Sequence, residues 1–245
     1  MLPYSQKQKD RAMNETTSFN ECCSYVTALM QAKARPEEAQ PAPAITIARQ
    51  AGARGRTIGK KLQCALRDGS PQDPIPWTFF DEDLVEKVLK DHDLPTSLAK
   101  FMPDDSVSEI DSTINEILGR HPSLWTLFEQ TVESMVHLCH MGHCILVGRG
   151  GNKVAEGLSN VTHVRFVGTL PQRIKQMVNA HGMSSKEAKQ YIKQEDHARQ
   201  RYMKNHFHCD VEDPLHYDLV INTDHYSDEA VVQVVLNAVA AKQAG

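Results

Sequence analysis

Three arginines and three glycines are concentrated just after a short apolar run near residue 45. The segment reads ITIARQAGARGRTIGKKL over residues 45–62, and Arg49, Arg54, Arg56 and Thr57 lie among its glycines. Glycines let backbone amides approach an anion closely, and the N-terminus of a following helix adds partial positive charge. A hydroxyl at the helix start caps the helix or holds Mg²⁺. We call residues 49–57 the glycine-arginine loop, and its composition indicates a phosphate site.

The glycine-arginine loop differs from the standard phosphate-binding pattern GxxxxGK[ST] at one position. Gly55, Arg56 and Thr57 place an arginine where that pattern has lysine. Arginine also neutralises phosphate, although with a planar fork rather than a compact point charge. The alternative is an ordinary turn between strand and helix whose glycines serve packing alone. We weight the phosphate role above it, because three arginines in one tight turn repel one another unless an anion is present.

Two further segments carry arginines that could reach the same ligand. CILVGRGGN (144–152) places Arg149 at the carboxyl end of an apolar strand, where open α/β sheets bind ligands. Arg173 begins a helix, and the next helix carries a group of charged residues: Lys193, Asp196, Arg199, Arg201 and Lys204. Asp196 and Arg199 are three residues apart, so they share a helix face and can pair. A turn with a solvent-facing arginine and a solvated charged helix are the alternatives to a lid that closes over a polyphosphate.

Short apolar runs alternating with helical periodicity position these residues. We predict five strands: Ile45–Ala48, Thr78–Phe80, Cys144–Gly148, Thr162–Val167 and Leu219–Asn222. We predict helices between and after them: Thr57–Leu66, Asp83–Lys90, Val107–Leu118, Leu124–His140, Pro171–His181, Ser184–Asn205 and Ser227–Lys242. This alternation is typical of a parallel sheet covered on both faces. The predicted fold is therefore α/β, a three-layer α/β/α sandwich with a parallel sheet, over residues 45–245.

Residues 1–44 form a predicted N-terminal extension outside this domain. Phe19–Lys33 has a helical pattern with Tyr25, Val26, Leu29 and Met30 on one face. ARPEEAQPAPA (34–44) contains three prolines and is typical of a linker. We interpret the helix as a surface appendage in preference to a partner or dimer helix.

The bulk composition excludes several classes of protein. The 245 residues carry a net charge of −4 with a pI near 6.3, so nothing indicates binding to nucleic acid or an anionic membrane. No window suits a membrane helix and the N-terminus lacks a secretory h-region, so we expect a cytoplasmic chain with six reduced cysteines. HLCHMGHC (137–144) raises the question of a metal site, but its spacing favours helix-end histidines over zinc ligands.

These segments, taken in order, resemble the cytidylate kinase-like family of P-loop nucleoside monophosphate kinase relatives. The resemblance rests on GARGRTIGKKL, TFFDEDLVEKV, ILVGRGGN, HVRFVGTLPQRI, MSSKEAKQYIKQEDHARQRY and DPLHYDLVINTD, and runs from about Ile45 to Ala241. It implies a P-loop fold with a helical lid and the cofactors ATP and Mg²⁺. The implied activity is ATP-dependent phosphoryl transfer to a nucleoside monophosphate, with CMP or dCMP favoured.

The resemblance also implies roles for individual residues. The phosphate cradle would be formed by Gly52, Ala53, Arg54, Gly55, Arg56 and Thr57, with Thr57 near the magnesium ion. The acceptor side would involve Asp81 and Arg149, and Asn222 and Thr223 would lie near the adenine ring. The lid would supply Arg173, Arg199 and Arg201, paired with the carboxylate of Asp196. Arg56, Arg149 and the three lid arginines are the candidate catalytic residues.

Two departures from the family pattern affect the expected activity. The loop has Arg56 in place of lysine, and Gly150 replaces the aspartate of a Gly-Arg-Asp motif. Phosphoryl transfer depends mainly on positioning and positive charge, which other arginines can supply. Two alternatives stay open: a nucleotide-binding sensor with little turnover, and a kinase of another small metabolite.

Overall fold

Five parallel strands form one sheet at the centre of the protein. The computed structural model describes residues 41–70, 73–81 and 122–244, with the backbone alone for 122–130, together with positions 21, 22, 24, 25 and 28. The strands are β1 (Ala44–Arg49), β2 (Thr78–Phe80), β3 (Cys144–Val147), β4 (Val161–Val167) and β5 (Leu219–Asn222). Their order across the sheet is β2-β3-β1-β4-β5, and every pair is parallel. The carboxyl ends of β1 and β3 are therefore neighbours, which brings the glycine-arginine loop beside Arg149.

Helices cover both faces of the sheet. They are α1 (Gly55–Gly69), α2 (Pro122–Met141), α3 (Gly151–Val154), α4 (Leu170–His181), α5 (Ser185–Phe207) and α6 (Asp228–Ala244), with short 3₁₀ turns at Pro214–His216 and Thr223–His225. One apolar cluster joins α1 and α6 to the sheet, with Ile58, Leu62 and Val235 at its centre. A second cluster packs α2 on the other face through residues such as Met135. Helix α5 begins with a capping box between Ser184 and Glu187, which fixes the start of the lid segment.

The predicted α/β sandwich is confirmed. All five predicted strands are present, and their ends agree with prediction to within one residue. Four of them, β1 to β4, are mostly buried, and buried parallel strands appear in sequence as mainly apolar runs. Five predicted helices are present with ends displaced by at most three residues. The four-residue helix α3 was not predicted, and the predicted helices Asp83–Lys90 and Val107–Leu118 lie outside the described residues.

The prediction that the N-terminal helix is a surface appendage is wrong for its described residues. Positions 21, 22, 24, 25 and 28 are helical, and the side chains of Cys22 and Tyr25 are fully buried in the α2 cluster. The remaining members of the predicted apolar face, residues 26, 29 and 30, lie outside the described residues. This part of the N-terminal extension belongs to the core.

Two global features follow from the described residues. None of the helices in this part of the chain is long and apolar enough to cross a membrane. The described cysteines, Cys22, Cys64, Cys139, Cys144 and Cys209, are all free thiols.

Candidate functional site

The glycine-arginine loop leaves β1 through a tight turn and enters α1. Gly52 (φ 80°) and Arg54 (φ 60°) adopt left-handed backbone conformations, and Arg54 is the N-cap of α1. No side chain caps this helix, and its first turn contains no acidic residue. The positive end of the helix dipole is therefore not neutralised by the helix's own sequence. Such an N-terminus fits a phosphate group.

The arginines of the loop point in different directions. The Arg54 guanidinium donates to Asp228 Oδ1 at 2.6 Å and to the carbonyls of Thr223 and Tyr226, so it braces the loop against the segment after β5. Arg56 is half exposed and forms an ion pair with Asp81 at 2.9 Å, at the end of β2. Carboxylates thus separate these arginines. The sequence argument that they need an anion to relieve mutual repulsion is wrong for Arg54 and Arg56.

The lid segment is docked directly on the loop through Asp196 and Arg173. One carboxylate oxygen of Asp196 accepts the Ala51 N–H at 2.7 Å, and the other accepts Arg173 Nη1 at 2.5 Å. Arg173, which is almost fully buried, also donates to the carbonyls of Ala51 and Gly168. A Cβ on Gly52 would lie 2.7 Å from the Arg173 carbonyl oxygen, so only glycine allows this close approach. Arg173 acts here as a brace between the lid segment and the loop.

A cleft of about 220 Å³ lies at the carboxyl ends of β1 and β3. Three arginines, Arg49, Arg149 and Arg199, line it together with Glu195 and Tyr202, and we call it the arginine cleft. Arg49 ends β1 and its side-chain stem lies along Gly55, where an added Cβ would be 3.0 Å away. Three guanidinium groups on its lining give the cleft a composition that suits an anion.

The turn after β3 presents Arg149 through an unusual backbone. Gly148, Arg149 and Gly150 are three successive residues with positive φ, and Tyr202 Oη donates to the Arg149 carbonyl at 3.5 Å. A Cβ on Gly150 would overlap the ring of Phe207 at the end of α5. An aspartate at position 150 therefore cannot coexist with Phe207 in this position. The departure from the Gly-Arg-Asp motif is structural, since α5 has packed onto the space that the acidic side chain would need.

One face of α5 supplies the lid side of the cleft. Arg199 pairs with Glu195 at 2.9 Å and lies 3.6 Å from Asp196, so the predicted pairing of Asp196 with Arg199 is confirmed. Glu195, Arg199 and Tyr202 are spaced by four and three residues, which places them on one face. Arg201 lies on another face, is exposed, and is not among the residues that line the cleft. The structure does not bring Arg201 to this site.

Buried polar groups support the cleft from below. Thr46 at its floor hydrogen-bonds His163 Nδ1 at 2.7 Å, and burial lowers the pKa of His163 from its ordinary value. Arg165, which is almost fully buried in β4, donates to the carbonyl of Val211 on the cleft wall and pairs with Glu212 at 3.1 Å. None of these residues was identified as a site residue from the sequence. A charged residue inside a predicted buried strand, as in HVRFV, is the signal that could have identified Arg165.

A second compartment borders the other side of the loop. This polar groove, of about 240 Å³, is lined by Gly52, Arg54, Gln172, Lys175, Gln176, Asn179, Thr223, Asp224 and Tyr226. Thr223 is buried, and its hydroxyl donates to the Val167 carbonyl. The Asn222 side chain accepts the Asp224 N–H and so caps the 3₁₀ turn. The structure places Thr223 in the groove and Asn222 at its edge, as a cap.

The remaining cradle residues lie at the start of α1. Ala53 is buried, and Thr57 is exposed in the first helical turn, where its hydroxyl could contribute to a magnesium site. Among the side chains that the structure describes, no three His, Cys, Asp or Glu residues are placed to hold a metal ion. Cys144 of the HLCHMGHC segment is buried in β3, and burial raises its pKa well above the usual range.

Comparison with known proteins agrees with this architecture. The chain matches the model of the cytidylate kinase-like family over residues 44–225. A crystal structure of an uncharacterized protein from Eubacterium ventriosum superposes with a TM-score of 0.63 at 16% identity, covering 81% of this chain and 98% of that one. Shikimate kinase from Bacteroides thetaiotaomicron gives a TM-score of 0.42 at 12% identity, covering 81% and 98%. A gluconokinase from Sinorhizobium meliloti gives 0.41 at 13%, covering 83% and 94%. No curated protein matches the sequence.

The similarity to the Eubacterium ventriosum structure supports the fold. The family match spans the whole sheet, the glycine-arginine loop, the turn after β3 and the lid helices. The chain belongs to the cytidylate kinase-like family.

Proposed function

We propose that this protein transfers the γ-phosphoryl group of MgATP to a nucleoside monophosphate, with CMP or dCMP as the first candidates. One observation carries the proposal: two compartments border the same glycine-arginine loop. The arginine cleft meets the loop at Arg49, and the polar groove meets it at Gly52 and Arg54. A site that joins a donor to an acceptor through a phosphate chain needs this arrangement.

The residues of the polar groove and of the α1 N-terminus would hold ATP. The uncapped first turn of α1 offers backbone amides to phosphate oxygens, and the groove offers polar side chains to the base. Thr57, in the first turn of α1, would contact Mg²⁺. When bound, MgATP supplies the phosphoryl group and a cation that neutralises its charge.

The residues of the arginine cleft would hold the acceptor and stabilise the transferred group. Arg49 and Arg149 would bind the acceptor phosphate, and Arg199 would contact the equatorial oxygens of the phosphoryl group. A monophosphate oxygen is already ionised at pH 7, so this reaction needs no general base. Asp81 is better suited to positioning Arg56, with which it pairs, than to removing a proton.

The sensor alternative has one observation in its favour. Arg56, in the position of the absent lysine, is engaged by Asp81, and this pairing reduces the charge it can offer to ATP. A chain of this kind would bind nucleotide and turn it over slowly. Kinase activity toward another small metabolite is the third possibility, because the arginine cleft would recognise an anionic group and not a base. The cytoplasm is the compartment we expect for each of these functions.

A coupled ADP-release assay with CMP, dCMP, UMP and AMP tests the proposal. We expect acceptor-stimulated turnover, and we expect Arg149→Ala and Arg199→Ala each to lower it by about a hundredfold. Lys204→Ala, an exposed charge on the same helix as Arg199, is the matched control and should retain turnover. Tight ATP binding without stimulation by any acceptor would refute the kinase proposal and favour the sensor.

A further inference from the structure

The N-terminal extension reaches the site through strand β2. Described positions 21–28 lie before the family match, which begins at residue 44. Strand β2 is at the edge of the sheet and pairs with β3 alone among the described strands. It contains three residues, and Asp81 follows immediately. A strand this short at a sheet edge needs support from outside the sheet to hold its end in place.

The N-terminal segment supplies that support on one face of β2. The Tyr25 ring packs edge-on against Phe80 with centroids 5.5 Å apart, and its hydroxyl donates to the Gly142 carbonyl. Cys22 Sγ lies 3.7 Å from the Phe79 carbonyl. Cys22, Tyr25 and Phe80 all belong to the α2 cluster, so these contacts hold β2 from that face.

Helix α1 runs along the same strand and connects it to the glycine-arginine loop. Four residues of one α1 face contact β2 or its flanking residues: Arg56 meets Asp81, Gly59 meets Phe79, and Gln63 and Arg67 both donate to the Trp77 carbonyl. A Cβ on Gly59 would lie 2.5 Å from the Phe79 ring, so glycine permits this close approach. Arg56 therefore reaches Asp81 only while α1 and β2 keep their spacing.

Glu21 binds the part of α1 that is farther from Arg56. Its carboxylate pairs with Arg67 at 3.1 Å and accepts Gln63 Nε2 at 3.4 Å. Tyr25 thus contacts strand β2, and Glu21 contacts helix α1. The two residues are one helical turn apart on the same N-terminal segment.

We propose that Glu21 and Tyr25 are positioning residues for Arg56, acting through β2 and Asp81. The N-terminal segment sets the distance between α1 and β2 and so fixes the Arg56 guanidinium at the start of the phosphate cradle. This inference rests on the proposed function, because it requires that Arg56, in the first turn of α1, binds a phosphate group of ATP. It goes beyond that function by making residues outside the family match part of the site's support.

A double-mutant cycle on the full-length chain tests the proposal, with the Kd for MgATP as readout. We expect Arg56→Ala to weaken binding by about tenfold or more, since a charge-assisted hydrogen bond is lost. We expect Tyr25→Ala to weaken it by about fivefold in the natural chain and to have no further effect in the Arg56→Ala background. Tyr25→Phe keeps the ring on Phe80 and should recover most of the affinity.

Controls separate positioning from a general loss of stability. Val239→Ala removes buried volume from α6, far from β2, and should lower the unfolding temperature without changing the Kd. If Tyr25→Ala does not fold, Glu21→Gln enters the same cycle with an expected loss of about twofold in the natural chain and none with Arg56→Ala.

Two results overturn the inference and are distinguishable. If Tyr25→Ala or Glu21→Gln weakens MgATP binding by the same factor with and without Arg56, or not at all, the N-terminal segment does not act through Arg56. If Arg56→Ala itself leaves the Kd unchanged, the role of Arg56 in the proposed function fails first, and the inference fails with it.

Discussion

Replacing Asp196 with asparagine tests whether the lid is held on the loop by charge. Asp196 bridges the Ala51 N–H and the Arg173 guanidinium, whose side chain is only 10% exposed. Asparagine keeps one acceptor oxygen but removes the charge, which leaves Arg173 without a close carboxylate. Breaking a buried ion pair from one side costs about 3–5 kcal/mol. Arg173 keeps its bonds to the carbonyls of Ala51 and Gly168, so we expect the lower end, about 3 kcal/mol.

This loss of stability should appear as a large fall in Tm. For a chain of this size, 1 kcal/mol corresponds to about 2–4 °C, so Asp196→Asn should unfold about 6–12 °C lower. Calorimetry or circular dichroism measures this directly. The neighbouring Glu195→Gln is the matched control, because Glu195 pairs with Arg199 near the surface, where such a pair contributes at most about 1 kcal/mol.

Salt distinguishes the two pairs further. In 1 M NaCl the Debye length falls to about 3 Å, so the small effect of Glu195→Gln should disappear while the effect of Asp196→Asn persists. A fall in Tm for Asp196→Asn no larger than that for Glu195→Gln would contradict the reasoning. Asp196 would then be an ordinary surface carboxylate, and the lid would be held by packing.

Three further predictions follow from other parts of the molecule. Gly150→Ala should cost about 2–4 kcal/mol in urea unfolding, because φ is 72° and the new Cβ overlaps the Phe207 ring, and Phe207→Ala should reduce that cost. Burial, with a smaller effect from the charge of a nearby histidine, lowers the pKa of His137 to about 4. The free energy of unfolding should therefore fall by about 3 kcal/mol as the pH falls from 6.5 to 4, and it should level off below pH 4. The fall should be smaller in His137→Leu. Arg54→Met breaks the brace to Asp228 and should lower Tm by about 4–8 °C, measured by calorimetry, with Lys204→Met as a control that leaves it unchanged.

The sheet was predictable from the sequence because most of its strands are buried. β3 is a continuous apolar run and β1 is interrupted only by Thr46 before its last residue, so their limits could be placed almost to the residue. The order of the strands was not predicted, because it depends on pairing between strands that are distant in sequence. Local pattern placed the glycine-arginine loop and Arg149 each after a strand, and the pairing of β1 with β3 brings them together.

The direction of individual arginines was less predictable, because it depends on partners distant in sequence. Arg54 turns away from the cleft because it binds Asp228, a partner 174 residues further along the chain. Arg199 and Arg201 could have been separated by helical periodicity, as only Arg199 shares a face with Glu195 and Tyr202. Arg49 was underweighted because it ends a strand, where side-chain direction depends on the exact register of the turn.

Carboxylates from several elements change what the glycine-arginine loop can do. Asp228 engages Arg54, Asp81 engages Arg56, and Asp196 engages the Ala51 amide. Each contact stabilises the loop in one conformation and reduces the positive charge it offers to a ligand. Arg54 therefore serves mainly to brace the loop, and Asp81 holds Arg56 in place.

The proposed acceptor site lies in the arginine cleft. Its three arginines come from the end of β1, the turn after β3 and helix α5. Since these elements meet only in the folded chain with the lid docked, the proposed anion site is complete only when Asp196 and Arg173 hold the lid segment against the loop. Loss of that docking would separate Arg199 from Arg49 and Arg149, so stability of the lid and affinity for phosphate are coupled in this fold.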